Sequence, residues 1–472
     1  MRNFISKVPK TVKWSLGILA AFVSGIVMSW VLLSDETLNP DAKLVMEAAP
    51  KIAPEQNAFY ALWGFRASPE LDAFEVGKKI VAAQAAIVRS GDYTTTFAPD
   101  VHWGAKPFQS SVMPGRYCKG MSDQHSCLAA TRKGRDAIEA ELREHDEYVQ
   151  RYRALRHYSQ YEDAMAPTPN MPLLPWTTVM KVAELIDAKI AFNMEQPQKR
   201  AAALAEIVLW KSISRGASTM ISRLMPVAIL GRKYRLASEL LTDYPQIANE
   251  HRDIVAKITQ PLTAEDINMQ RLFVGEFRYM ALAVHDVRYD ANVNSEGVAQ
   301  LSVRPKWLAA PWEELTFKRN ATINMQYSDM SASGIFYSQS AVDILKQQRE
   351  FNEKLNHYKP YHPSTWLYNP GGKILSSIAT PQYRTYAYRI HDLAGYSRLV
   401  ELQRQVALLR TPLTKTGEMI ATADANLLDP YTGKPMAFDA ATQTISFATK
   451  GNSSDDQQSL SVKLATQPAG NS

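Results

Sequence analysis

The carboxylate best placed to do chemistry is Glu276. Met269, Phe273, Met280 and Val284 repeat at helical spacing, and Glu276 falls inside the stripe they draw. A carboxylic acid drawn out of water there keeps its proton to higher pH, which suits a general acid. The favoured alternative is a buried glutamate answered by an arginine from a neighbouring helix. A second constellation is the cysteine pair Cys118 and Cys127, with Asp123 and His125 between them. Their spacing matches no common zinc pattern, so no metal is expected. In an oxidising compartment the two pair as a disulfide. A third is the aromatic run Tyr358, Tyr361, Trp366 and Tyr368, a surface on which sugar rings would stack. Here the favoured alternative is an irregular segment pinned to helices by its large side chains.

Familiar catalytic signatures do not survive inspection. Asn369-Pro370-Gly371-Gly372-Lys373 lacks the first glycine and the following Ser/Thr of a phosphate-binding loop. Neither G-x-S-x-G nor H-E-x-x-H occurs. The adjacent pairs His285-Asp286 and His391-Asp392 lack a nucleophile in a recognisable setting. No cofactor is expected.

The element that would place all of these is the stretch 14–33, twenty residues without a charge. At about 1.5 Å per helical residue it covers the hydrocarbon thickness of a bilayer. Arg2, Lys7, Lys10 and Lys13 precede it, and Asp35, Glu36 and Asp41 follow. That asymmetry predicts a single-pass anchor in a bacterial inner membrane, with the N-terminus cytoplasmic and the body periplasmic. The apolar core is longer than that of a cleaved signal peptide. Gly17, Ala21, Gly25 and Ser29 recur every fourth residue, a small-residue face for pairing with itself or another membrane protein.

Beyond the anchor the composition is that of a globular body, with 46% hydrophobic and 21% charged residues. The net charge of +6 owes four positive residues to the N-terminal flank, so the body is nearly neutral. That balance leaves no basic footprint for nucleic acid. The expected fold class is mainly α, with a multi-helix body and a small C-terminal β-hairpin. We divide the chain into a basic flank (1–13), the anchor (14–33), a stalk (34–56), an N-terminal helical part with the disulfide loop (57–165), a main helical domain (177–425), the hairpin (426–450) and a disordered tail (451–472). Residues 287–338 and 359–387 lose helical periodicity and read as irregular. Thr263 to Asp266 carries a capping signature at a helix start. Tyr431-Thr432-Gly433-Lys434 reads as the turn of the hairpin, with T-I-S-F-A as its alternating strand.

The run Leu428-Asp429-Pro430-Tyr431-Thr432-Gly433-Lys434-Pro435 resembles the D-P-x-[ST]-G-x-P hairpin of uncharacterised proteobacterial single-span inner-membrane proteins. That resemblance implies no known activity and carries over no functional residue. The leading expectation is therefore a non-enzymatic scaffold, or interaction partner, of the cell envelope. Its partners would be the lipid bilayer, other envelope proteins and a second membrane helix. The alternatives are an envelope-polymer hydrolase or lytic enzyme using Glu276, and a helical body that binds a small ligand.

Overall fold

Two long helices, Met220–Asp243 and Tyr383–Leu409, pack along each other and form the spine of the body. Each buries side chains around nearly its whole circumference: Val227, Leu230, Tyr234 and Leu240 in the first, Leu393, Leu399, Leu402 and Val406 in the second. Helices buried on nearly every side belong in the middle of a bundle. Around them lie Trp176–Phe192, Ile207–Gly216 and Arg252–Thr259. Thr263 accepts from the Asp266 N–H and Asp266 reaches back to the Thr263 N–H, completing the capping box that the sequence predicts. The computed structural model describes residues 34–90, 126–168, 173–192, 206–286, 316–356, 362–379, 383–451 and 458–465. Shorter described pieces include 14–15, 18–19, 21–25, Cys118, Met121, Met171 and Leu204.

The spine also carries charge into the core. Lys233 and Asp187 are each 0% exposed, with Nζ 2.9 Å from Oδ1. Lys233 also meets Glu206 at 3.0 Å, and Arg232 Nε lies 3.3 Å from the second oxygen of Asp187. Four charges thus tie Met220–Asp243 to Trp176–Phe192 and to the start of Ile207–Gly216.

Residues 34–56, expected as a stalk, are fastened to the body. They contain the helix Pro40–Glu47, whose Ala42 is fully buried. The helix Arg319–Tyr337 has no side-chain cap from its own N-cap residue, Lys318. Asp35 supplies one from far away in the chain, accepting from the N–H groups of Asn320 and Ala321 at 2.8 and 3.0 Å. A carboxylate cap of this kind contributes about 1 kcal/mol. Asn324 extends the clasp by donating to Glu36 Oε2 and the Thr37 carbonyl, and by accepting from the Asn39 N–H.

At the other end of the chain, strands β1 (Ala437–Asp439), β2 (Thr444–Ala448) and β3 (Ser459–Lys463) form one antiparallel sheet in that order. Ile445 pairs with Val462 and Phe447 with Leu460, and all four are buried. Alternation places them on the face packed against Tyr383–Leu409. There Gly395 leaves room for the Phe447 ring, which any larger side chain would strike. Asp392 locks the sheet down, accepting from the Tyr431 hydroxyl at 2.6 Å and from the N–H groups of Lys450 and Gly451.

Four expectations are corrected. Within 287–338, residues 319–337 form a 19-residue helix; Thr322, Gln326, Asp329 and Ser333 are buried on it beside Ile323, Met330 and Tyr337, and these polar residues obscure the apolar spacing. Within 359–387 lie the helices Pro363–Leu367 and Pro370–Ala379. Asn369, at φ 51, accepts from the Gly372 N–H, so Asn-Pro-Gly-Gly starts a helix instead of a loop. The turn between β1 and β2 falls at 440–443, and Tyr431–Lys434 forms an earlier turn closed by the Asp429 carbonyl. Residues 459–463, placed in the tail, complete the sheet. Among the described residues no helix is long and apolar enough to cross a membrane. Most of 14–33 lies outside them.

Candidate functional site

The turn that leads into Met220–Asp243 is held between two carboxylates. Asp163 accepts from the Tyr161 hydroxyl at 2.6 Å through one oxygen, and from the Ser218 N–H and hydroxyl at 2.6 and 2.8 Å through the other. Glu276 accepts from the Met220 N–H at 2.6 Å and from the Tyr383 hydroxyl at 3.3 Å. Both therefore take up amides at a helix start, where partial positive charge favours an anion. Gly275 makes the approach of Glu276 feasible, since a Cβ there would collide with the Ser218 carbonyl. The arginine partner expected for Glu276 is replaced by an amide and a phenol.

Burial raises the pKa of Asp163, against the pull of its four hydrogen bonds. Burial also raises that of Glu276, and the negative charge of Asp163 adds to it. The Tyr383 and Tyr161 hydroxyls are pushed up by burial and by the carboxylates they serve. A pair of carboxyl groups above the usual range, each bonded to a phenol, is able to hold and exchange a proton. Beside Asp163 a small cleft is lined by Phe59, Trp63, Met165, Trp176 and Ser222. The buried indole N–H groups of Trp63 and Trp176 meet no acceptor there. The cleft thus combines apolar walls with unused donors and one acid.

A second concavity, a groove of ≈ 570 Å³ lined by Leu241, Gln246, Gln403, Val406, Arg410 and Leu464, shares no residue with the carboxylates. Glu276 was visible in the sequence as an anomaly in an apolar stripe. Asp163, Tyr161 and Ser218 were not, because they lie in connecting segments without periodicity and meet only in the fold.

Cys118 and Cys127 are joined by a disulfide and buried. The residues around Cys127 are gripped by Glu239 of the spine, which accepts from the Ser126 hydroxyl and the N–H groups of Cys127 and Leu128. Among the described residues, no group of three or more His, Cys, Asp or Glu is arranged to hold a metal ion. Gly17 and Ser29 of the small-residue face lie outside the described residues; Ala21 and Gly25 are helical and exposed, with nothing within 4 Å of a Cβ built at Gly25. Tyr358 and Tyr361 also lie outside them. Trp366 is 54% exposed, and Tyr368 is half-buried with its hydroxyl 3.4 Å from the Ser34 carbonyl. Comparison of the chain with protein-family models, with curated proteins and with solved structures returns no match.

Proposed function

We propose that this chain is a single-span protein of a bacterial inner membrane whose helical body, in the periplasm, is a non-enzymatic scaffold for other envelope components. The observation that carries the reading is the junction at residues 34–39. The uncharged stretch ends where Ser34, Asp35, Glu36 and Asn39 are bonded to Tyr368 and to the first turns of Arg319–Tyr337. A body clasped this closely to its anchor is held in a fixed orientation to the membrane, as a docking platform requires. The described side chains of the stretch agree with a lipid setting: Trp14, Ile18 and Phe22 are helical and 65–74% exposed. Such side chains need an apolar solvent. The small-residue face through Gly17 and Gly25 then serves helix pairing within the bilayer.

The test is topological and then biochemical. A C-terminal reporter active only in the periplasm should light up, and carbonate washing should leave the protein in the membrane fraction. In-cell cross-linking should then trap envelope proteins on the body. A signal from a cytoplasm-only reporter, or a body that cross-links to nothing, overturns the proposal.

A second reading, an acid-assisted hydrolase of envelope polymers, is favoured by one observation. Glu276 is half-buried, bonded to Tyr383 and without an arginine partner among the described residues. On that reading Glu276→Gln abolishes release of soluble fragments from purified cell-wall polymer, with folding intact by circular dichroism. No release by the unaltered protein sinks it.

A further inference from the structure

We propose that the body docks on the bilayer surface beside its own anchor, through the apolar edge formed by Trp366, Leu367 and Leu375. This inference rests on the anchor reading above and adds to it the face that meets lipid.

The placement follows from the junction. Ser34 directly follows Leu33, the last apolar residue of the stretch, and consecutive Cα atoms are only about 3.8 Å apart. Its carbonyl receives the Tyr368 hydroxyl, so Tyr368 stands at the level where the anchor leaves the hydrocarbon. Trp366 and Leu367 immediately precede Tyr368 and end the short helix Pro363–Leu367. Leu375 lies on the next helix, Pro370–Ala379, which packs on Arg319–Tyr337 close to the residues that Asp35 caps. All three are turned outward: Trp366 is 54%, Leu367 64% and Leu375 39% exposed. Thr365, in the same turn, is 1% exposed, so the helix has a distinct inner and outer side.

The chemistry suits the headgroup region better than a protein partner. Tryptophan and tyrosine favour the membrane–water boundary, where an amphipathic ring has one end apolar and the other wet. A short amphipathic helix with Trp and Leu outward is the kind of element that lies in that plane. The two acids nearest the edge do not oppose it. Asp35 is satisfied by backbone N–H groups and Glu36 by the Asn324 amide. A body tethered at zero distance also meets its own bilayer at far higher effective concentration than any diffusing partner.

The test uses the full chain, one copy per lipid nanodisc, in zwitterionic lipid with a minor anionic fraction. Some discs carry phospholipids brominated high on the acyl chain, others phospholipids brominated near its end. Tryptophan emission is compared between the unaltered protein and Trp366→Phe, an exposed position where the exchange keeps the fold. The expected result is that the Trp366 difference signal is quenched, and more by the shallow bromines than by the deep ones. A difference signal that neither lipid quenches, while Trp14 and Trp30 are quenched, overturns the docking and leaves the anchor standing. Absence of quenching from Trp14 and Trp30 overturns the anchor reading itself, and the docking with it. A single copy per disc removes self-association as a source of the signal.

Discussion

Replacing Asp187 by alanine is expected to destabilise the body by about 3–5 kcal/mol, the cost of breaking a buried ion pair from one side. Burial works against the charge of Lys233, yet Asp187 and Glu206 outweigh it and hold its pKa well above the ordinary lysine range. Without Asp187 the ammonium keeps Glu206, itself 19% exposed, and the face of the Tyr152 ring, while Arg232 keeps the Met180 carbonyl. Lys233 has no exposed surface, and the Arg232 side chain is only 8% exposed. Trimming a well-packed leucine costs about 2–5 kcal/mol by a different mechanism, so magnitude alone does not diagnose the cause. The diagnostic is the double replacement Asp187→Leu with Lys233→Met, which removes both members of the closest pair. It should recover a large part of the loss. Urea unfolding reads both: the midpoint should move with little change in slope. A shift of under about 1 kcal/mol for Asp187→Ala would mean that water reaches the network.

The second large effect concerns acid. His391 is 2% exposed, its Nε2 has no hydrogen-bond partner, and its pKa is drawn down to about 4. Burial is the main cause, the positive charge of Arg398 adds to it, and the hydrogen bond with the Tyr337 backbone opposes both. An unfolded histidine titrates near 6.5. As pH falls through that value the unfolded chain takes up a proton that the folded one refuses, so stability is full above about 6.5 and declines until about pH 4. The span corresponds to about 3 kcal/mol. Asp163, Glu276 and Asp392, all raised by burial, have the opposite sign. The stability they contribute is full below the unfolded carboxyl range and is lost as pH rises through their folded values. The opposing contributions overlap, so the histidine is isolated by difference. His391→Gln should be less stable than the unaltered protein at pH 7.5. The gap should shrink by about 2–3 kcal/mol on going to pH 4.5. A gap independent of pH would show that His391 takes up its proton in the folded state.

How much of this was legible depended on whether a segment's partners lay on one face. Val179, Val182, Ile186 and Ile190 draw a stripe in the sequence, and all four are buried in Trp176–Phe192. The capping box at Thr263 and the alternation of Ile445 and Phe447 are equally local, and the sequence carries both. Arg319–Tyr337 escaped because Thr322, Gln326, Asp329 and Ser333 share its buried surface with Ile323, Met330 and Tyr337, and Gly334 packs against Gln270 and Phe273. The charged run 132–158 reads as one helix, yet it breaks at Gly134 and at His145. Its apolar residues Ile138, Leu142, Tyr148, Tyr152 and Leu155 are nonetheless buried. The carboxylate pair was half visible. A charge in an apolar stripe marks Glu276, whereas Asp163 gains its meaning only from Ser218, fifty-five residues further on. Caps and clasps supplied across the chain leave no periodic trace.

The clasp at Asp35 has a consequence for how such a chain matures. The amide it caps lies 285 residues downstream, and the sheet closes only with β3, later still in the chain. As the chain is made, residues 35–39 lack their native partners until about 285 further residues have followed. During that interval they are open to proteases and to holding chaperones. Resistance to digestion should therefore arrive late and abruptly in a pulse-labelled population, once β3 has been made.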